Sequence, residues 1–108
     1  MRTCILSLLA LIHSYGTFAQ PTFQKTWGGV WTDVAYDMAP SGDGNYVVTG
    51  YTFNSSLSCN NVLLMKIDEV GDTLWTRVYG ESGGQTGYKV IRVKDGGYAI
   101  AGQAGGAL

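Results

Sequence analysis

Sliding the chain along itself by 52 residues lays Phe23–Thr52 on Trp75–Ala104 without a gap. Six positions are identical: Gly28/Gly80, Tyr36/Tyr88, Asp43/Asp95, Gly44/Gly96, Tyr46/Tyr98 and Gly50/Gly102. Similar chemistry recurs at Phe23/Trp75, Lys25/Arg77, Trp27/Tyr79, Met38/Val90 and Val48/Ile100. Because the shared residues are turn glycines and tyrosines in fixed order, the chain reads as one supersecondary unit used serially. Such units bury their apolar faces only against neighbours. Composition agrees: 16 of 108 residues are glycine, roughly double the usual ~7%. Charged residues are only 14% and the net charge is −1. No basic surface is left to neutralise phosphates, which excludes nucleic acid as the main partner.

Within one period, Val34–Pro40 and Tyr46–Thr52 predict strands on either side of Ser41-Gly42-Asp43-Gly44-Asn45. Lys94-Asp95-Gly96-Gly97-Tyr98 predicts the same turn one period later. Asp43-Gly44 and Asp95-Gly96 suit type I′ hairpins, whose two central positions both need φ > 0. These aspartates therefore read as turn residues, not metal ligands. Gly50 and Gly102 fall inside strand patterns, where glycine marks a bulge or a close backbone approach. The third strand, Val62–Ile67, is apolar on nearly both faces, as in a sheet packed between two others. After the polar turn Asp68–Asp72 comes a fourth strand, Thr73–Tyr79.

Four antiparallel strands per period, covered on both sides, predict an all-β chain of propeller-type blades. A β-sandwich is the competing reading, but it does not account for the repeat. Counting strands gives one blade over 34–79, the start of a second over 88–104, and a closing strand over 23–28 for a blade the chain lacks. Residues 20–108 are thus expected to be about one and a half blades of a larger β-propeller. Propellers need ~4–8 blades to protect their edges, so this stretch is not expected to be a stable isolated monomer, its partners being the missing blades.

The first 19 residues read as an export signal. Arg2 supplies the positive region, and Cys4–Ile12 is an apolar run too short to span ~30 Å of hydrocarbon as a helix. Ala19, with Thr17 at −3, places cleavage before Gln20. The expected location is secreted, extracellular or at the outer cell surface, with membrane contact only during export. Cleavage leaves six Lys/Arg against eight Asp/Glu and removes His13, the only histidine, along with Cys4. Cys59 then stands alone and cannot form an internal disulfide. No base or cation near it in sequence makes it a nucleophile.

The order W-G-G … D-G-x-Y-x-V-x-G … L-L-x-K-I-D-x-x-G-D-T-L-W-x-x-x-Y-G … D-G-G-Y-A-I-A-G is similar to that of secreted β-propeller repeat proteins of Bacteroidota. Many of that group resemble type IX secretion cargo. The resemblance covers nearly all of Phe23–Gly102 and implies an exported propeller, not a particular reaction. Asp68, Gly71 and Trp75 also resemble the tryptophan-docking motif of quinoprotein propellers. The Gly-to-Trp spacing of four matches; the Asp-to-Gly spacing is one residue short, and Asp72 replaces the motif's lysine. The motif implies a structural role, an indole fastening one sheet to the next, and no bound quinone. No cofactor is expected.

Without histidine, a Ser-His-Asp triad, a Cys-His pair and a histidine zinc site are unavailable to the mature chain. Paired carboxylates remain conceivable in glycosidase fashion, yet Asp43, Asp68, Asp72 and Asp95 belong to turns. Asp37 lies inside a strand, but its repeat equivalent is Lys89, which suggests a solvated face. The glycine-rich loop 81–87 has no P-loop lysine after it. Calcium on loop oxygens around Asp33 or Asn60-Asn61 has no supporting spacing. Trp31, Tyr51 and Phe53, near loop positions with Asn and Ser neighbours, are candidate contacts for sugars or a protein. The expected function is an exported, non-enzymatic interaction module. The alternative is the N-terminal blades of a larger secreted hydrolase or quinoprotein whose catalytic residues lie further along.

Overall fold

The computed structural model describes residues 24–105. The export signal expected over 1–19 and the first residue of the strand expected over 23–28 lie outside them. Strands β1 (Asp33–Pro40), β2 (Tyr46–Asn54), β3 (Cys59–Ile67) and β4 (Thr73–Tyr79) form an antiparallel sheet in the order β1-β2-β3-β4. Strands β5 (Gln85–Arg92) and β6 (Tyr98–Ala104) pair as a separate hairpin. The chain is all-β over the described residues, with no helix among them. Residues 24–28 pair with no described strand.

One turn design occurs three times. Ser41 donates its N–H to the Asn45 carbonyl at 3.0 Å, Asp68 to Asp72 at 2.9 Å and Val93 to Gly97 at 2.9 Å. The fourth residue in each case is a glycine in the left-handed region: Gly44 (φ 87°), Gly71 (φ 87°) and Gly96 (φ 88°). The type I′ expectation is corrected here. Asp43 and Asp95 do not take positive φ, so only the glycine of each Asp-Gly pair does. The aspartates instead hold the turn through their side chains: Asp43 Oδ1 accepts the Asn45 N–H, and Asp95 Oδ1 accepts the Gly97 N–H, both at 3.2 Å. The side-chain oxygen replaces a backbone partner two residues on, which is the Asx-turn role.

The hairpins β1–β2 and β5–β6 share irregularities as well as strands. The pairing register slips at Tyr36 in the first and at Tyr88 in the second. Each slip is a bulge, which bends its strand locally. The result is a backbone contact only glycine can make. A Cβ on Gly50 would collide with the Val34 carbonyl oxygen, and one on Gly102 with that of Thr86.

Strand alternation gives the four-stranded sheet two faces, each with its own apolar cluster. On the front face, buried Val47 and Leu64 pack with Val90 of the hairpin. On the back face, Val48, Met65 and Ile67 cluster with half-buried Tyr46. The apolar character of β3 on both sides thus supplies two clusters, Leu64 to the front and Met65 and Ile67 to the back. β3 begins at Cys59, three residues before its apolar run, because Cys59, Asn60 and Asn61 continue the ladder opposite Asn54, Phe53 and Thr52 of β2.

Candidate binding surface

The hairpin sits on the front face, with β5 against β1, β2 and β3. Half-buried Ala39, Trp75, Tyr98 and Ile100 surround the Val47–Leu64–Val90 cluster. Trp75 approaches Tyr98 at 6.3 Å between centroids, and the Arg77 guanidinium lies 5.0 Å over the Trp75 ring. Trp75 therefore lies where the two sheets meet, with its ring only half covered. Asp68 and Gly71 are turn residues: Asp68 Oδ1 accepts the N–H of Val70 at 3.0 Å and of Asp72 at 2.8 Å. They shape the turn leading into β4.

Two carboxylates are held here, Asp37 between the two sheets and Asp43 within the first. Asp37, which the sequence suggests lies on a solvated face, is half-buried and accepts the Val90 N–H of β5 at 2.9 Å. That expectation is corrected: the bulge turns Asp37 toward the hairpin. The bond from Val90, aided by the Met38 amide and the Lys89 charge, outweighs desolvation and lowers its pKa. Asp43 receives Lys66 Nζ at 2.6 Å on Oδ2 and the Ser41 hydroxyl on Oδ1. These hold the Asp43 carboxyl well below the usual carboxylate range, the lysine bond being the larger cause. The same bond raises the Lys66 pKa, with Tyr98 of β6 adding a smaller push.

A polar hub closes the opposite end. Asn61, 1% exposed, donates to Gln85 Oε1 at 2.9 Å and to the Glu81 carbonyl at 3.2 Å. Its own oxygen accepts from Asn54 Nδ2 at 2.9 Å. The amide considered for calcium is thus engaged in joining the β2–β3 loop to the β4–β5 connection. Asp33, the other residue considered, accepts the Gly29 N–H at 3.0 Å. Among the described residues no group of three or more metal-ligating side chains comes together. Half-buried Cys59 directs its sulfur to the Glu81 carbonyl at 3.5 Å.

The candidate aromatics fall into a row. Trp31, 57% exposed, lies 5.7 Å from Phe53. Phe53 and Tyr51, two apart on β2, share a face. Tyr51 is 6.2 Å from Tyr36, and Tyr36 meets Tyr88 edge-on at 5.0 Å. The row therefore runs from the segment before β1, over β2 and β1, onto β5. Tyr88 also donates its hydroxyl to Gln103 at 3.0 Å. Sequence reasoning named Trp31, Tyr51 and Phe53 but missed Tyr36 and Tyr88. Their signal was present as an identical pair in the 52-residue match, but nothing marked them as bulge residues.

The back face carries a groove of about 380 Å³, lined in part by Val48, Leu63, Met65 and Val78 and flanked by Trp27 and Gly28. Set against known proteins, the chain matches no family model, no curated protein and no solved structure.

Proposed function

We propose that the chain is an exported, non-enzymatic module of serial propeller-type blades that binds an extracellular glycan or protein through its aromatic row. The observation carrying this reading is the Tyr36–Tyr88 contact, 5.0 Å edge to face. Two exposed rings at equivalent bulges of successive hairpins meet there. A unit repeated every 52 residues then adds one rung per unit to an aromatic ladder. Ring faces stack on the apolar faces of sugars or bury protein side chains, while the tyrosine hydroxyls provide polar ends. The shared bulges, the Gly50/Gly102 approaches and the common turn support the serial reading. Arg2, the short apolar run and Ala19 support export. The lack of histidine after residue 19 favours binding over the common acid–base chemistries.

Native electrophoresis through gels containing soluble β-glucan or mannan tests the glycan arm. The protein is expected to be retarded, and Trp31→Ala and Tyr36→Ala each to lose that retardation with unchanged circular dichroism. Equal mobility with and without every polysaccharide would leave only the protein-binding arm standing.

A further inference from the structure

We infer that the back face of the four-stranded sheet docks the β5–β6 hairpin of a second copy of this chain, head to tail. The inference rests on reading the two hairpins as serial units. The template for the contact is inside the molecule. Val90, Tyr98 and Ile100 seat the hairpin on the front face of the sheet. They stand 52 residues beyond Met38, Tyr46 and Val48, three residues on the sheet's own back face. The same kind of face is therefore seated against a sheet once in this chain, whereas at its other occurrence Tyr46 and Val48 are covered beside Trp27 and Met38 is left exposed.

The corners beside the two faces correspond in detail. Gly80 (φ 141°) precedes an N–H, that of Glu81, received by Gln85 Oε1 at 3.1 Å. Gly28 (φ 143°) precedes an N–H, that of Gly29, received by Asp33 Oδ2 at 3.0 Å. Tyr79 lines the groove beside Ile100, as Trp27 lines the groove beside Val48. Tyr79, however, ends β4 of a complete sheet, whereas Trp27 belongs to residues 24–28, which pair with no described strand. Met38 remains 56% exposed, while its counterpart Val90 is 2% exposed.

The occupant follows from what covers Val90. The front face meets it with Ala39 and Val47. Their counterparts on the hairpin are Ile91 and Ala99, both exposed, Ile91 at 59%. A second copy thus presents the right apolar surface, with the β6 edge that pairs with no described strand available beside residues 24–28. The two surfaces differ, so the contact is heterologous and propagates into a ring or a chain. It is also weaker than the internal one. The counterpart of Asp37 is Lys89, so no carboxylate reaches the Met38 amide from the second copy. Association should therefore depend on concentration.

The test uses the full chain as the cell processes it, with Met38→Asp on the back face and Ile91→Asp on the hairpin. Both positions are exposed and tolerate a charge. In sedimentation velocity the wild-type chain is expected to grow with concentration and each variant to lose that growth. An equimolar mixture of the two variants should form a 1:1 dimer and stop, since each retains the surface the other lacks. A wild-type chain that stays monomeric, or a mixture that does, overturns the docking. Val90→Asp separates this from failure of the serial reading. If it disrupts cooperative unfolding while the mixture stays monomeric, docking alone falls; if unfolding is unchanged, the serial reading falls as well.

Discussion

At the scale of single residues, two carboxylates make stability depend on pH, Asp37 between the sheets and Asp43 within one. Asp37 and Asp43 both have folded pKa values below the ordinary 3.8. A lowered value means the stabilisation is complete above the unfolded pKa and fades as pH falls through the folded one. Lys66, raised above its ordinary 10.5, contributes fully below that pH and loses its contribution as pH rises through the folded value. Stability should therefore be level across the neutral range and fall at both ends. Asp43→Asn should flatten part of the acid fall and also the alkaline one, since Asp43 is the main cause of the Lys66 shift. Melting temperatures from pH 2 to 12 would check this; a wild-type profile retained in the variant would show that the ion pair is energetically idle. The turn role of Asp43 was legible because Asp-Gly has a local chemistry. That of Asp37 was not, because its partner is a backbone amide 53 residues away, which no side-chain pattern marks.

At the scale of elements, β4 joins the two sheets chiefly through Trp75. Truncating a fully buried large aromatic costs ~3–5 kcal/mol. Trp75 is half covered and shares its contact with Tyr98, so Trp75→Ala should cost about 2 kcal/mol, under that range. Chemical denaturation followed by Tyr and Trp fluorescence would measure it. A loss near zero would mean that the Val47–Leu64–Val90 cluster seats the hairpin without the indole. The strands themselves were largely legible: alternation, paired Asp-Gly turns and the doubly apolar run Val62–Ile67 each translate directly into backbone geometry. The start of β3 was not, because Cys59-Asn60-Asn61 reads as loop. Asn61 is buried only because Asn54, Gln85 and the Glu81 carbonyl satisfy its amide, and those partners come from three separate stretches of chain. The aromatic row was half legible for the same reason. Trp31 and Phe53 look like loop-end aromatics, whereas Tyr36 reaches the row through a bulge.

At the scale of the whole molecule, export is the first property to establish. Mass spectrometry of secreted protein should find an N-terminus at Gln20, cyclised or free; an intact Met1 in that fraction would contradict export by cleavage. The turn design used three times has a kinetic consequence. Each copy is closed by bonds within five residues, so each hairpin can nucleate from local sequence alone, on the ~1–10 μs scale of isolated hairpins. The contacts between hairpin and sheet are of another kind: Asp37 finds Val90 across 53 residues, and closing that loop is the entropic hurdle. Folding should then proceed as fast zippering followed by a slower capture, with the barrier at the seating of β5 against the sheet. Substitutions at the seat would slow refolding only to the extent that it is already made at the barrier, while those in the turns would act earlier, on the population of preformed hairpins.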